Sequence, residues 1–294
     1  MENILEIYGL NKTYDDFALK DISFSLPKGY IMGFVGQNGS GKTTTIRSIL
    51  NMAKIDSGKI SVFGLDSIKD AVEIKERLGV VFDSLYLAKH LTVKHVDKQL
   101  APFYKNWSSE EFNRRIKAFG LPDNKKIGDF SKGMKMKLMV AVALSHNAEL
   151  MILDEPTSGL DPVARDELLD ILSEYISDEN RSVLFSTHIT SDVERIADYV
   201  TILHNGKVWF TGIKDELHEK YLVLRGAEED IPDSLRKKCI GFHAYRNGFD
   251  ALISTNLLDE IPSALETEKA SIDEILVYIS KEESNGRDKK NDTL

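Results

Sequence analysis

Residues 36–43 read GQNGSGKT, between the apolar run Tyr30–Val35 and the helical stretch Thr43–Asn51. This match to GxxxxGK[ST], entered from a strand and left by a helix, constrains the fold more than any other feature. Such a loop turns successive backbone N–H groups onto a phosphate chain, and Gly36, Gly39 and Gly41 allow the reversal. The positive end of the following helix favours the same anion. Lys42 supplies a point charge for the β- and γ-phosphates, and the Thr43 hydroxyl is a candidate Mg²⁺ ligand. Asn38, Ser40 and Thr44 complete the expected nucleotide-binding set.

The chain around this loop alternates strands with helices. Strands are predicted over Ile22–Leu26, Lys59–Phe63, Gly79–Phe82, Leu150–Leu153, Ser182–Ser186 and Tyr199–Leu203. Helices are predicted over Val163–Ile176 and Ser191–Ala197, and Asn205-Gly206 predicts a hairpin into Lys207–Phe210. That alternation implies an α/β fold with a mainly parallel core sheet. Leu91–His146 lacks strand signals and reads as a helical insertion.

At Leu150–Pro156 the sequence LMILDEP ends an apolar strand in two acids. Ligands bind at the carboxyl ends of parallel strands, which puts both acids near the phosphate loop. Asp154 is the candidate for the Mg²⁺ shell, and Glu155 for polarising the water that attacks the γ-phosphate. His188, in FSTHIT after the next strand, is a candidate γ-phosphate sensor.

Taken in order, these segments resemble the nucleotide-binding subunit of ATP-binding-cassette (ABC) transporters over about residues 2–220. The Walker A motif is Gly36–Thr43, and the signature-like segment is Phe130-Ser131-Lys132-Gly133-Met134. MILDEP holds Walker B, Ser158-Gly159-Leu160-Asp161 the D-loop, and His188 the switch histidine. The resemblance implies a P-loop NTPase cassette with an antiparallel β-subdomain and a helical subdomain. It implies ATP and Mg²⁺ as ligands, and adenine stacked on Tyr14. It also implies a head-to-tail dimer, with itself or a second cassette subunit, in which Ser131 and Gly133 reach the nucleotide of the other chain. Asp161 belongs to the same composite site. A separate transmembrane permease is the implied partner, with the cassette on the cytoplasmic face of the membrane.

Two positions depart from the family pattern. FSKGM replaces LSGGQ, as in a large group of bacterial cassettes, many of them exporters. Asp83 stands where glutamine is usual, and is expected to contact Mg²⁺ through water or to meet the partner loop. The pattern is most similar to bacterial ABC-2-type exporter ATPases linked to antimicrobial-peptide resistance and peptide export.

The helical insertion, about 91–146, is the part that grips a permease in such proteins, and Asp83–Leu91 is expected to line the docking groove. Leu85, Tyr86, Leu87, Phe103, Tyr104 and Trp107 are either exposed contacts there or core of the subdomain. Past residue 220 the pattern changes to a small α+β module over 221–281, with a second hairpin signal at Asn247-Gly248 and a closing helix Ser271–Ser280. Residues 282–294 are polar and expected to be disordered.

Composition bounds the alternatives. With 38 basic and 47 acidic residues the net charge is -9, which opposes a broad nucleic-acid surface, and no nucleic-acid partner is expected. Cys239 is the sole cysteine, so no internal disulfide forms. The N-terminus has no signal-peptide pattern. The longest apolar run, Leu138–Leu144, has seven residues, whereas a membrane span needs about 20. A regulatory cassette acting on ribosomes or DNA would carry two cassettes or a long coiled coil. A non-hydrolysing module would lack Glu155 or His188.

Overall fold

The structure, a computed structural model, describes residues 2–83 and 87–291. The middle of its central sheet is built from strands buried along nearly their whole length, as expected where both faces of a parallel sheet are covered. Strand β3 (Ile31–Val35), strand β7 (Leu150–Asp154) and strand β8 (Ser182–Thr187) are buried at every position. Together with β6 (Leu78–Val81), β9 (Tyr199–His204) and β10 (Lys207–Ile213), they form a six-stranded sheet ordered β10-β9-β3-β8-β7-β6. The pairs β3–β8, β3–β9, β6–β7 and β7–β8 are all parallel. Thus β3, which feeds the phosphate loop, lies beside β8, and β8 lies beside β7, which ends in Asp154.

A second, antiparallel sheet has the order β2-β1-β4-β5, from β1 (Asn3–Thr13), β2 (Ala18–Pro27), β4 (Ser57–Val62) and β5 (Leu65–Asp66). In register, Ile7 faces Phe24 on one side and Ile60 on the other, and all three are buried. One continuous core joins this sheet to the parallel one through Leu5, Ile22, Phe34, Ile46, Ile152 and Leu184.

Helix α1 (Lys42–Ile49) follows the phosphate loop, and α2 (Ala71–Arg77) precedes β6. The insertion holds α3 (Val93–Leu100), α4 (Ser109–Ala118) and α5 (Lys132–Ser145) around their own core of Val96, Phe112, Ile116, Phe130 and Leu138. Ser131 caps α5 by accepting from Met134 N–H. Helix α6 (Pro162–Tyr175) begins at Asp161, which accepts from Val163 and Ala164 N–H, with Pro162 in the first helical position. Helix α7 (Thr190–Ile196) follows β8.

Two compact units divide between Thr211 and Gly212. The sequence reading places the division at 220. The difference is α8 (Lys214–Lys220), which packs on β11 (Tyr221–Gly226) and so belongs to the second unit. This unit has an antiparallel sheet ordered β12-β13-β11-β14, from β12 (Ile240–Tyr245), β13 (Gly248–Ser254) and β14 (Glu266–Lys269) with β11. It also holds the short α9 (Asp233–Arg236) and α10 (Ile272–Asn291), which packs on β12. Helix α10 continues past residue 281, where the sequence reading starts a disordered tail.

Candidate functional site

The left-handed turns of the phosphate loop fall on Gly39 (φ 82°) and Gly41 (φ 110°). At Gly41 a Cβ would lie 2.5 Å from Leu19 Cδ2 and 2.7 Å from Phe17 Cζ, so a side chain there would also displace both. The side chain of Lys42 is buried, and its ammonium donates to the Gly36 carbonyl (2.7 Å) and the Gln37 carbonyl (3.3 Å). The same ammonium lies 3.2 Å from Glu155 Oε1. On the other side of that carboxylate, His188 Nδ1 is 2.7 Å from Oε2. Lys42, Glu155 and His188 are therefore one contiguous chain of contacts.

Beside them, Thr43 Oγ1 donates to Asp154 Oδ1 (3.2 Å), and Ser186 Oγ donates to the same oxygen (2.6 Å). Asp154 is buried, while His188 is exposed at its edge. Glu155 sits at φ 51°, an uncommon region for a residue with a side chain. Its N–H donates to the carbonyl and the hydroxyl of Ser186 (both 3.1 Å), which holds that turn in place.

A cleft of about 450 Å³ opens over this group, lined by Asp16, Phe17, Asn38, Gly39, Gly41, Lys42, Thr43, Thr44 and Glu155. Its floor is the phosphate loop and the first turn of α1. The Ser40 hydroxyl at the loop is buried without a hydrogen-bond partner among the described residues. A floor of phosphate-loop backbone with the Lys42 ammonium fits a polyphosphate. The neighbouring Thr43 hydroxyl and Asp154 carboxylate are hard oxygen donors of the kind Mg²⁺ takes, usually one or two protein ligands with phosphate and water.

The sequence-predicted residues are not all assembled here. Tyr14 is half-exposed, with Lys12 Nζ 5.1 Å from its ring, and lies outside the cleft lining. Phe17 supplies the aromatic wall instead. No local pattern marks it in the sequence, because its place here comes from its approach to Gly41. Asp83 is exposed in the bend after β6 and lies outside the cleft lining. Ser131 and Asp161 serve as helix caps in this chain, and Gly133 sits in the first turn of α5, away from the cleft. The Lys132 ammonium lies beside Gly159 of the D-loop, which the sequence alone does not reveal.

Of the candidate docking residues, Leu85 and Tyr86 lie outside the described residues. Leu87 and Trp107 pack against the core of the helical insertion. The Tyr104 ring stacks on buried His146 at 4.0 Å, and Trp107 Nε1 donates to Asp97 (2.8 Å). Only Phe103 of the aromatic three is exposed, at 75%. Tyr104 and Trp107 are thus packing residues.

A glycine-rich phosphate loop, a strand-end acid pair and a histidine on adjacent parallel strands define a P-loop ATPase. The model of the ABC transporter family matches residues 19–158. The ABC transporter ATP-binding protein NatA of Bacillus subtilis is 34% identical over 209 residues, covering 69% of this chain and 84% of NatA. The bacitracin transport ATP-binding protein BcrA of Bacillus licheniformis is 32% identical over 260 residues, covering 85% of this chain and 82% of BcrA. A solved ATP-binding subunit of an ABC transporter aligns with TM-score 0.66 and 31% identity, over 73% of this chain and 92% of that one. The chain belongs to the ATP-binding subunits of ABC transporters, and it is an ATPase. No helix among the described residues is long and apolar enough to cross a membrane.

Proposed function

We propose that this ATPase closes as a dimer around ATP and drives a separate transmembrane permease that exports a peptide, antibiotic or lipid-like substrate. The observation that carries the catalytic part is the unbroken contact chain Lys42–Glu155–His188 beside the Thr43–Asp154 pair. Lys42 compensates phosphate charge. Glu155 takes the proton of the attacking water, and His188 holds that carboxylate in line through its ring N–H. Thr43 and Asp154 would hold Mg²⁺, which when bound neutralises charge on the phosphates. Asp83 is proposed as an outer member of that shell, and Tyr14 as a second aromatic near the adenine beside Phe17.

Ser131, Gly133 and Asp161 lie outside the cleft of their own chain, which suits a role at the nucleotide of a second subunit. The export reading rests on the bacitracin-transport relative, whose similarity spans 85% of this chain. Such a match extends past Thr211 into the second unit.

Glu155→Gln is the direct test. It keeps the side chain's shape and removes the base. ATP binding is expected to persist, a dimer to appear on size exclusion with ATP, and hydrolysis to slow by about 100-fold or more. Hydrolysis at the wild-type rate would remove Glu155 from the mechanism. For the transport part, a multi-span membrane protein should copurify with this chain from membranes, and loss of the pair should raise sensitivity to peptide antibiotics. Unchanged sensitivity would count against that cargo class.

A further inference from the structure

One carboxylate near the site is wholly withdrawn from solvent yet has no role in the contact chain above. Asp192, in the first turn of α7, is 0% exposed. A buried carboxylate is tolerated only when its oxygens are matched by donors. Here they are. Thr157 Oγ1 donates to Oδ2 at 2.6 Å, and Arg165 Nε donates to Oδ1 at 2.5 Å. Arg165 Nη2 also donates to Ser191 Oγ at 2.6 Å, which fixes the guanidinium plane.

These partners come from three places in the chain. Thr157 lies two residues after Glu155, in a turn where Ser158 N–H donates to the Glu155 carbonyl and Leu160 N–H to the Thr157 carbonyl. Arg165 lies in the first turn of α6, its own N–H bonded to the Asp161 carbonyl. Asp192 sits four residues beyond His188, its N–H bonded to the Ile189 carbonyl. One buried acid therefore ties the segment carrying Glu155, the D-loop up to Asp161, and the segment carrying His188.

We infer that Asp192 is a positioning residue that holds Glu155 and His188 in register, with Thr157 and Arg165 as the arms of the clamp. The inference rests on the catalytic reading of Glu155 and His188. None of the three clamp residues lines the nucleotide cleft. Loosening them should therefore slow the chemical step and leave nucleotide binding alone. Misplacing a reacting group by about 1 Å can cost on the order of 100-fold in rate.

The test uses the full chain, with kcat and KM for ATP measured well below each variant's own melting temperature. Thr157→Val, nearly isosteric, and Asp192→Asn should lower kcat by about 10- to 100-fold. KM should shift by less than about twofold, because uniform binding is untouched. Thr157→Ser restores the hydroxyl and should recover most of the lost rate. The inference is overturned if Thr157→Val keeps kcat within about twofold of wild type while only its melting temperature falls, or if Thr157→Ser is as slow as Thr157→Val. A rise in KM matching the fall in kcat/KM overturns it as well. If Asp192→Asn does not fold, the Thr157 pair decides alone. Glu155→Gln run in parallel separates the two ideas. If it is slow and Thr157→Val is normal, only the clamp falls; if it hydrolyses normally, the catalytic reading falls.

Discussion

Glu155 bears its carboxylate on a left-handed backbone, and that conformation has a cost separable from its chemistry. An L-residue pays about 1–2 kcal/mol there, whereas glycine pays almost nothing. Glu155→Ala and Glu155→Gly both delete the carboxylate and its contacts to Lys42 and His188. They differ only in whether a Cβ must occupy φ 51°. Both should be inactive, and Glu155→Gly should be the more stable by about 1 kcal/mol in urea denaturation, after allowing for glycine's looser unfolded chain. Equal stability, or a more stable alanine variant, would mean that the backbone relaxes and stores no strain. The same contrast between local and tertiary causes explains which residues a sequence reveals. Gly36, Lys42, Thr43 and the Asp154–Glu155 pair are legible because loop chemistry fixes their spacing. Phe17 and Asp192 are not, since one matters through its approach to Gly41 and the other through partners 27 and 35 residues away.

At the scale of elements, the helical insertion is anchored where α5 meets β6. His146, just past α5, points Nδ1 at the Val142 carbonyl and Nε2 at the Leu78 carbonyl, each at 3.0 Å, with Tyr104 stacked over its face. Burial disfavours the charged ring and lowers its pKa, although the two carbonyls pull the other way. A histidine whose folded pKa lies below its unfolded value contributes stability above about pH 6.5 and loses it as pH falls through the folded pKa, because the unfolded chain then binds the extra proton. The stability gap between wild type and His146→Gln should therefore be widest near pH 7.5 and shrink toward pH 5.5, read by urea midpoints. A gap that is constant or widens in acid would refute a neutral buried His146. Elements were legible in proportion to their apolar content. The buried strands β3, β7 and β8 announce themselves as continuous apolar runs. By contrast β1 mixes Glu6, Asn11 and Lys12 into its pattern, α2 and α8 are mostly charged, and β14 reads ETEK with every residue exposed. These four owe their structure to neighbouring strands or to packing, which a local pattern does not display.

For the whole molecule, the question is whether the ATPase needs its second unit to fold. Among the described residues, the core that joins the two sheets of the first unit runs from Ile4 to Val208, and the core of the helical insertion from Leu87 to Val142. The core of the second unit starts at Leu222 and gathers Leu224, Ile231, Leu235, Phe249, Ala251, Ile253 and Leu265. A hydrophobic core of its own is what an independently folding domain possesses. Every residue of the nucleotide cleft, and the whole Asp192 clamp, belongs to the first unit. The cut must respect β10, however, because this edge strand of the parallel sheet runs to Ile213, past the division at Thr211. A fragment of residues 1–213 should therefore unfold in one cooperative calorimetric transition and bind ATP within about threefold of the full chain, a difference under about 1 kcal/mol. A fragment ending at residue 204 removes β10 and exposes the edge of β9, and it should aggregate or melt lower. If 1–213 fails to fold while the full chain binds ATP, the second unit is part of the cassette's stability and not an independent module.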